Sequence, residues 1–210
     1  MVLQRAHTEA SSVENGIALV KLMGRHAGFL AAEATIASQE VNFTLIPEVP
    51  FRLEGQGGFL AALEKRIAER AHAVIAVAEG AGQELLGNTG NEHDASGNVR
   101  LGDIGVFLRQ KIEAWFKARN IPVVMRYFDP GYIVRSSPDN AEDAVLCDAF
   151  ARHAGHAAMA GKTGLVIGLL HDRFIHVPIE LLATQQKRLD PDSSIWSAVL
   201  SSTGQPHHFE

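Results

Sequence analysis

Short runs of β-branched and aliphatic residues alternate along the chain with longer stretches whose apolar positions recur at helical spacing. GIALVKL (16–22), FTLI (43–46), AVIAVA (73–78), VVMRY (123–127), LVIGL (165–169) and RFIHV (173–177) read as strands. Residues 28–38, 57–70, 99–119 and 138–160 read as helices. Strands that alternate with helices in this way predict an α/β fold of three layers around a mostly parallel sheet. The last of these helices has clear punctuation: Ser136 or Ser137 can cap it and Pro138 suits its first turn. Asp139, Glu142 and Asp143 fall near its positive end, and Ala144, Val145, Ala149, Phe150 and Ala154 form a face expected to pack on a sheet. The Gly- and Asn-rich segment 86–98 reads as an exposed loop, and the polar tail after Gln185 as loosely held. Residues 1–15 read as a helix that precedes the first strand, cut off from its sheet.

Composition narrows the class. The 210 residues are 46% hydrophobic and 20% charged, enough apolar surface to offset the entropy of ordering. The longest apolar run, GLVIGLL (164–170), falls far short of the roughly 20 residues of a membrane span, and the N-terminal residues lack a signal-peptide layout. A net charge of −5 argues against a nucleic-acid partner. The lone cysteine, Cys147, excludes an internal disulfide and a four-thiolate zinc site, and its apolar helix makes it inert filling. The expected compartment is the cytoplasm, with no membrane association.

In an open α/β sheet, ligands gather at the carboxyl ends of the strands. Met23-Gly24-Arg25 follows the first strand, Pro47-Glu48 the second and Glu79-Gly80 the third. Asp129-Pro130-Gly131-Tyr132, continuing to Arg135, follows the fourth. Two arginines, a carboxylate and glycines suit a phosphorylated, hydroxyl-rich ligand: arginine gives bidentate bonds to phosphate and a carboxylate accepts from sugar hydroxyls. The plainer alternative is that Arg25 and Glu79 form a structural ion pair.

Other motifs lead nowhere. AGKT (160–163) lacks the glycine that a phosphate loop needs at His156, and it leads into a strand rather than a helix. Gly55-Gln56-Gly57-Gly58 could offer amides to an anion, but reads more simply as a turn. The ten histidines lack metal-ligand spacing: His153 and His156 have no third partner, and His171 and His176 are an odd step apart. No metal site is expected within the chain.

The strand-end residues taken together resemble the phosphofructokinase family, nearest to its ATP-dependent branch of plants, protists and many bacteria. Matching stretches are GIALVKLMGRHAGFLAAEATIAS (16–38), LIPEVPF (45–51), AVIAVAEGAGQELL (73–86) and DASGN (94–98). YFDPGYIVRSSPDNAEDAVLCDAFA (127–151), HAAMAGKTGLVIG (156–168), HVPI (176–179) and TGQP (203–206) follow in family order. Gly131 departs from the Ser or Thr common before the tyrosine. The resemblance implies that Met23, Gly24 and Arg25 form the substrate segment and that Glu79 holds sugar hydroxyls. It gives Tyr132 and Arg135 to a Tyr-x-x-Arg segment whose arginine meets the 6-phosphate of fructose 6-phosphate.

It also implies an allosteric glycolytic kinase that moves the γ-phosphoryl of ATP to the sugar's 1-hydroxyl with Mg²⁺, working as a homo-oligomer (dimer or tetramer). A pyrophosphate-dependent enzyme and a non-catalytic sugar-phosphate-binding regulatory module are the alternatives. The expected layout is a sugar-binding domain at 1–150 and a segment at 151–210 that returns to a nucleotide-binding domain. The family's Gly-Gly-Asp-Gly nucleotide loop and its Thr-Ile-Asp-Asn-Asp segment, which holds the base, do not occur in these residues. The chain is therefore expected to be an N-terminally incomplete, C-terminal portion. Phosphoryl transfer needs an aligned nucleophile and charge neutralisation, so purified chain should show negligible ATP-dependent phosphorylation of fructose 6-phosphate in a coupled assay. Robust turnover would sink that expectation.

Overall fold

A computed structural model describes residues 1–87, 100–184 and 186–210. They fall into two compact units, Met1–Tyr132 with Arg188–Glu210, and Ile133–Lys187.

In the first unit, strands β1 (Gly16–Leu22), β2 (Phe43–Leu45), β3 (His72–Ala78) and β4 (Val124–Phe128) form a parallel sheet in the order β2-β3-β1-β4. The central pair is hydrophobic on both faces, as a sheet covered twice must be. One face buries Ile17, Leu19, Ile75 and Val77 beneath α3 (Phe59–Arg70) and α4 (Ile104–Ala118), which contribute Phe59, Leu63, Leu108, Ile112 and Phe116. The other face buries the smaller Ala18, Val20, Val74 and Ala76. The predicted three-layer α/β fold is what forms.

Helix α1 (Val2–Ser11) lies on that second face with Leu3, Ala6 and Ala10 buried, so it is joined to its sheet rather than cut off from it. Its alanines meet the alanines of β1 and β3, and small side chains on both surfaces let a helix approach closely. Helix α2 (Phe29–Ser38) carries the connection from β1 towards β2 and buries Ala31 and Ala32.

The tail is not loose either. Helix α8 (Ser194–Thr203), capped by the Ser193 hydroxyl, packs Trp196 and Val199 with Ala31, Ala32 and Ile46. Beyond it, the Gln205 carboxamide accepts from the Thr44 amide at 2.6 Å and donates to the Thr44 carbonyl at 3.2 Å. Phe209 packs against Phe43 and Phe59. A polar composition hid these anchors, because few large side chains hold the segment and each is fully used.

Helix α4 begins at Ile104, later than the sequence suggests, because the Asp103 carboxylate accepts from the amides of Gly105 and Val106. The expected loop at 86–98 starts in a short 3₁₀ turn at Gln83–Leu86; its remainder, with the DASGN stretch, lies outside the described residues.

The second unit holds α6 (Ala141–Met159), the antiparallel hairpin β5 (Leu165–Leu170) and β6 (Arg173–Pro178), and α7 (Ile179–Thr184). The cap of α6 is Asn140, whose side-chain oxygen accepts from the Asp143 amide at 2.9 Å. Ser136 and Ser137 do not cap it. Both hydroxyls donate back to the Ile133 carbonyl, closing the short helix α5 (Gly131–Ser136). Phe150 of α6 meets Phe174 of β6 edge-to-face, with centroids 5.1 Å apart, and Ala157 is buried. Within this unit the rest of the expected apolar face is open: Val145 is exposed, and so is Cys147, which is not filling.

Trp196 is fully enclosed in a cluster with Ala31, Ala32, Ile46, Val49 and Ala78, so Trp196→Ala should cost about 3–5 kcal/mol by cavity formation and lost contact. Urea unfolding monitored by circular dichroism would measure it.

Candidate functional site

The chain leaves β1 through α2 to reach β2, and leaves β3 through α4 to reach β4. Helices α2 and α4 contribute to cores on opposite faces of the sheet. Adjacent strands β1 and β3 thus send their connections to opposite sides, the kind of switch point at whose carboxyl ends ligands of open α/β sheets gather. Met23-Gly24-Arg25 and Glu79-Gly80 both emerge there.

Backbone bonds fasten the two turns. The Glu79 amide donates to the Leu22 carbonyl at 2.9 Å and the Gly80 amide to the Gly24 carbonyl at 3.0 Å. Gly24 has φ +147°, which favours glycine, and a Cβ there would sit 2.8 Å from the Ala27 carbonyl oxygen. A Cβ on Gly80 would run into the Arg25 carbonyl. Gly80 is thus required by the close approach of the two turns, and Gly24 by the backbone conformation and tightness of its own turn.

The Glu79 carboxylate accepts from the Gly24 amide at a long 3.5 Å. Glu79 and Arg25 are both half-buried. The link between their turns is a backbone one, from the Gly80 amide to the Gly24 carbonyl. Gln83 extends the same arrangement: its amide donates to the Glu79 carbonyl at 2.7 Å and it pairs in both directions with Gly102.

Tyr132 lies in the first unit at the start of α5, highly exposed, and Arg135 lies on the same short helix within the second unit. Glu48 takes another task. Its two oxygens both accept from the Gly28 amide at 3.0 Å, at the start of α2, and one also accepts from the Leu189 amide at 2.8 Å. This is a carboxylate at a helix N-terminus, favoured by the dipole.

The Gly55–Gly58 loop closes as a turn and is tied to the end of the chain. The Gly58 amide donates to the Gly55 carbonyl, and the Gly57 carbonyl accepts from Glu210 at 3.1 Å. Lys162 follows the end of α6 as expected, its amide donating to the Ala157 carbonyl. The His153 ring stacks on Phe174 with centroids 4.3 Å apart, a packing role.

Strand-end reasoning missed Lys21, Asp103 and Tyr127. The Lys21 ammonium lies 2.9 Å from Asp129 and 3.1 Å from Asp103, and the Tyr127 hydroxyl donates to Asp103 at 3.3 Å. Burial works against the ammonium, but hydrogen bonds to Asp129, Asp103 and Tyr127 outweigh it and raise the Lys21 pKa. Burial likewise opposes the charge on Asp103, yet the Val106 amide and Lys21 hold its pKa below the usual value. Burial raises the Tyr127 pKa, keeping the phenol neutral. The signal was present in the sequence: a lysine inside GIALVKL demands partners, because a buried ammonium is otherwise costly.

Among the described residues no set of three or more histidine, cysteine or acidic side chains is grouped so as to hold a metal ion. The carboxylates of Asp103 and Asp129 already share an ammonium.

The family model described as phosphofructokinase matches residues 1–158. An ATP-dependent 6-phosphofructokinase of Borreliella burgdorferi is 48% identical over 207 residues, covering 96% of this chain and 46% of the relative. One from Amycolatopsis methanolica is 46% identical, with 96% and 45% covered. ATP-dependent 6-phosphofructokinase 1 of Arabidopsis thaliana is 45% identical, with 97% and 44% covered. The chain thus spans less than half the length of these curated relatives. In fold it is similar to a pyrophosphate-dependent phosphofructokinase from Marinobacter aquaeolei, with a TM-score of 0.66 at 18% identity, over 96% of this chain and 51% of the other.

The Asp103 contacts set a pH dependence. Its folded pKa lies below the reference 3.8, so its contribution is present above that value and is lost as pH falls through the folded pKa. Asp103→Asn, which keeps an acceptor for the cap, should show a flatter stability curve than wild type below about pH 4. Urea midpoints across pH 2.5–6 (roughly the carboxylate range) would check it.

Proposed function

The chain belongs to the phosphofructokinase family, and on that premise we propose that it forms the sugar-phosphate-binding portion of an ATP-dependent 6-phosphofructokinase. The proposed reaction moves the γ-phosphoryl of ATP to the 1-hydroxyl of fructose 6-phosphate and yields fructose 1,6-bisphosphate. The observation that carries this reading is the switch point at the ends of β1 and β3, where hydrogen bonds of Gly24 and Gly80 join the Met23–Arg25 turn to Glu79.

In the proposal, the Arg25 guanidinium holds phosphate through paired N–H donors and the Glu79 carboxylate accepts from sugar hydroxyls. Met23 and Gly24 shape the turn against the sugar. Tyr132 and Arg135 meet the 6-phosphate, a role that rests on the sequence match of their segment. The base that would take the 1-hydroxyl proton is not assigned to any residue of this chain.

ATP is favoured over pyrophosphate as donor because the relatives at 40–48% identity carry ATP-dependent names. The pyrophosphate-dependent structures are 16–18% identical and speak to fold alone. Residues 1–150 are proposed as the sugar-binding portion, with the hairpin and α7 in 151–210 as the part directed towards a nucleotide-binding domain. A homo-oligomer, dimer or tetramer, is proposed with them. No helix of the described residues is long and apolar enough to cross a membrane. The exposed thiol of Cys147 suits a reducing compartment, and the cytoplasm is the proposed one.

Calorimetric titration of the purified chain with fructose 6-phosphate tests the site. Wild type should bind, and Arg25→Ala should weaken binding by at least tenfold, on the order of one charge-assisted hydrogen bond. Glu79→Gln should weaken fructose 6-phosphate while leaving inorganic phosphate binding intact. Equal affinity in wild type and Arg25→Ala would remove the assignment.

A further inference from the structure

Strand β1 is buried over its first five residues and then carries Lys21, whose side chain keeps 17% of its surface exposed. By strand alternation Lys21 continues the face of Ile17 and Leu19, under α3 and α4. An ammonium in that position must be partnered. Its partners are Asp129 at 2.9 Å and Asp103 at 3.1 Å.

Each carboxylate divides its oxygens in the same way. Asp103 gives Oδ2 to Lys21, while Oδ1 accepts from Gly105 and Val106 at the start of α4. Asp129 gives Oδ2 to Lys21, while Oδ1 accepts from the Gly131 amide at 3.4 Å, at the start of the segment that bears Tyr132. One ammonium therefore links β1, two residues ahead of Met23, to two helix starts distant in sequence.

A bare surface ion pair would contribute little, and it would not require both carboxylates to serve a backbone start as well. A direct phosphate contact by Lys21 fits worse, since its donors are turned to two carboxylates and the Tyr127 hydroxyl. Removing Lys21 would break the ion pair that ties Asp129 to the end of β1. It would also leave two carboxylates uncompensated beside a site that takes an anion.

We propose that Lys21 is a positioning residue of the sugar-phosphate site, holding the Asp129–Tyr132 segment against the end of β1 and offsetting the charge of its carboxylates. This rests on the sugar-phosphate reading above, and two separate measurements keep the two apart. The first is calorimetric titration of the chain with fructose 6-phosphate; the second is amide hydrogen exchange at Gly131 and Tyr132 without ligand.

Lys21→Met should weaken fructose 6-phosphate about tenfold and speed exchange at those two amides about tenfold, with exchange at Ile17–Val20 unchanged. Lys21→Arg, which restores a cation with several donors, should bind within about threefold of wild type. Part of the Lys21→Met defect should disappear at high salt, where uncompensated carboxylates are screened. A purely structural role would not produce that salt dependence. Should Lys21→Met not fold, Asp129→Asn reads the same link, because its amide oxygen still serves Gly131 while the ion pair is gone.

Wild-type affinity in Lys21→Met, or in Asp129→Asn where that variant stands in, overturns the proposal. So does a Lys21→Arg chain as weak as Lys21→Met. If wild type binds no fructose 6-phosphate, the functional reading fails and exchange alone decides: faster exchange at Gly131 and Tyr132 upholds the positioning link, and unchanged exchange ends it.

Discussion

Parallel pairing of β1 with β3, in register from Gly16 opposite His72 to Leu22 opposite Ala78, is the constraint on which the rest of the first unit depends. Because the two strands end level, the residues that follow them emerge side by side. The Glu79 and Gly80 amides then reach the carbonyls of Leu22 and Gly24, and the turns close on one another only because Gly80 has no Cβ. A slip of one residue would turn every side chain of a strand to the opposite face. It would place Ile17 and Leu19 against α1, where the smaller Ala18, Val20, Val74 and Ala76 now pack.

The main elements were legible because their signals are local. Six strands begin within a residue of where alternation and β-branching put them. Element starts were harder. Helix α6 takes Asn140 as its cap because Ser136 and Ser137 are already engaged by α5, a competition between neighbouring helices that no single window displays. The tail read as loose because its anchoring is long-range: Trp196 finds α2, and Gln205 finds Thr44 across 161 positions. For the candidate site, the strand-end rule found Arg25, Glu79 and Glu48. It could not foresee that Glu48 is spent on Gly28 and Leu189, because that depends on where residues 188–210 return.

Polar groups inside the first unit share a pattern. Glu48, Gln83, Lys21 and Asp103 each join backbone or side chains from segments far apart in the chain, and each does so at the carboxyl ends of the strands or in the turns beside them. An apolar core fixes which faces meet but tolerates sliding, whereas a hydrogen bond specifies one partner at one distance. The helices and sheet therefore supply stability, and this polar layer supplies the alignment of turns that a ligand would meet. The second unit has fewer such ties and, by itself, leaves Leu169, Leu170, Leu181 and Leu182 exposed.

Strand β2 is short and lies at the end of the sheet, with Thr44 turned away from β3. Such a border would invite another chain to add a strand, the first step of sheet-to-sheet aggregation. The Gln205 carboxamide occupies both hydrogen-bonding positions of Thr44, imitating one residue of a neighbouring strand without its continuation. A single side chain thereby ends the sheet where another strand could have begun.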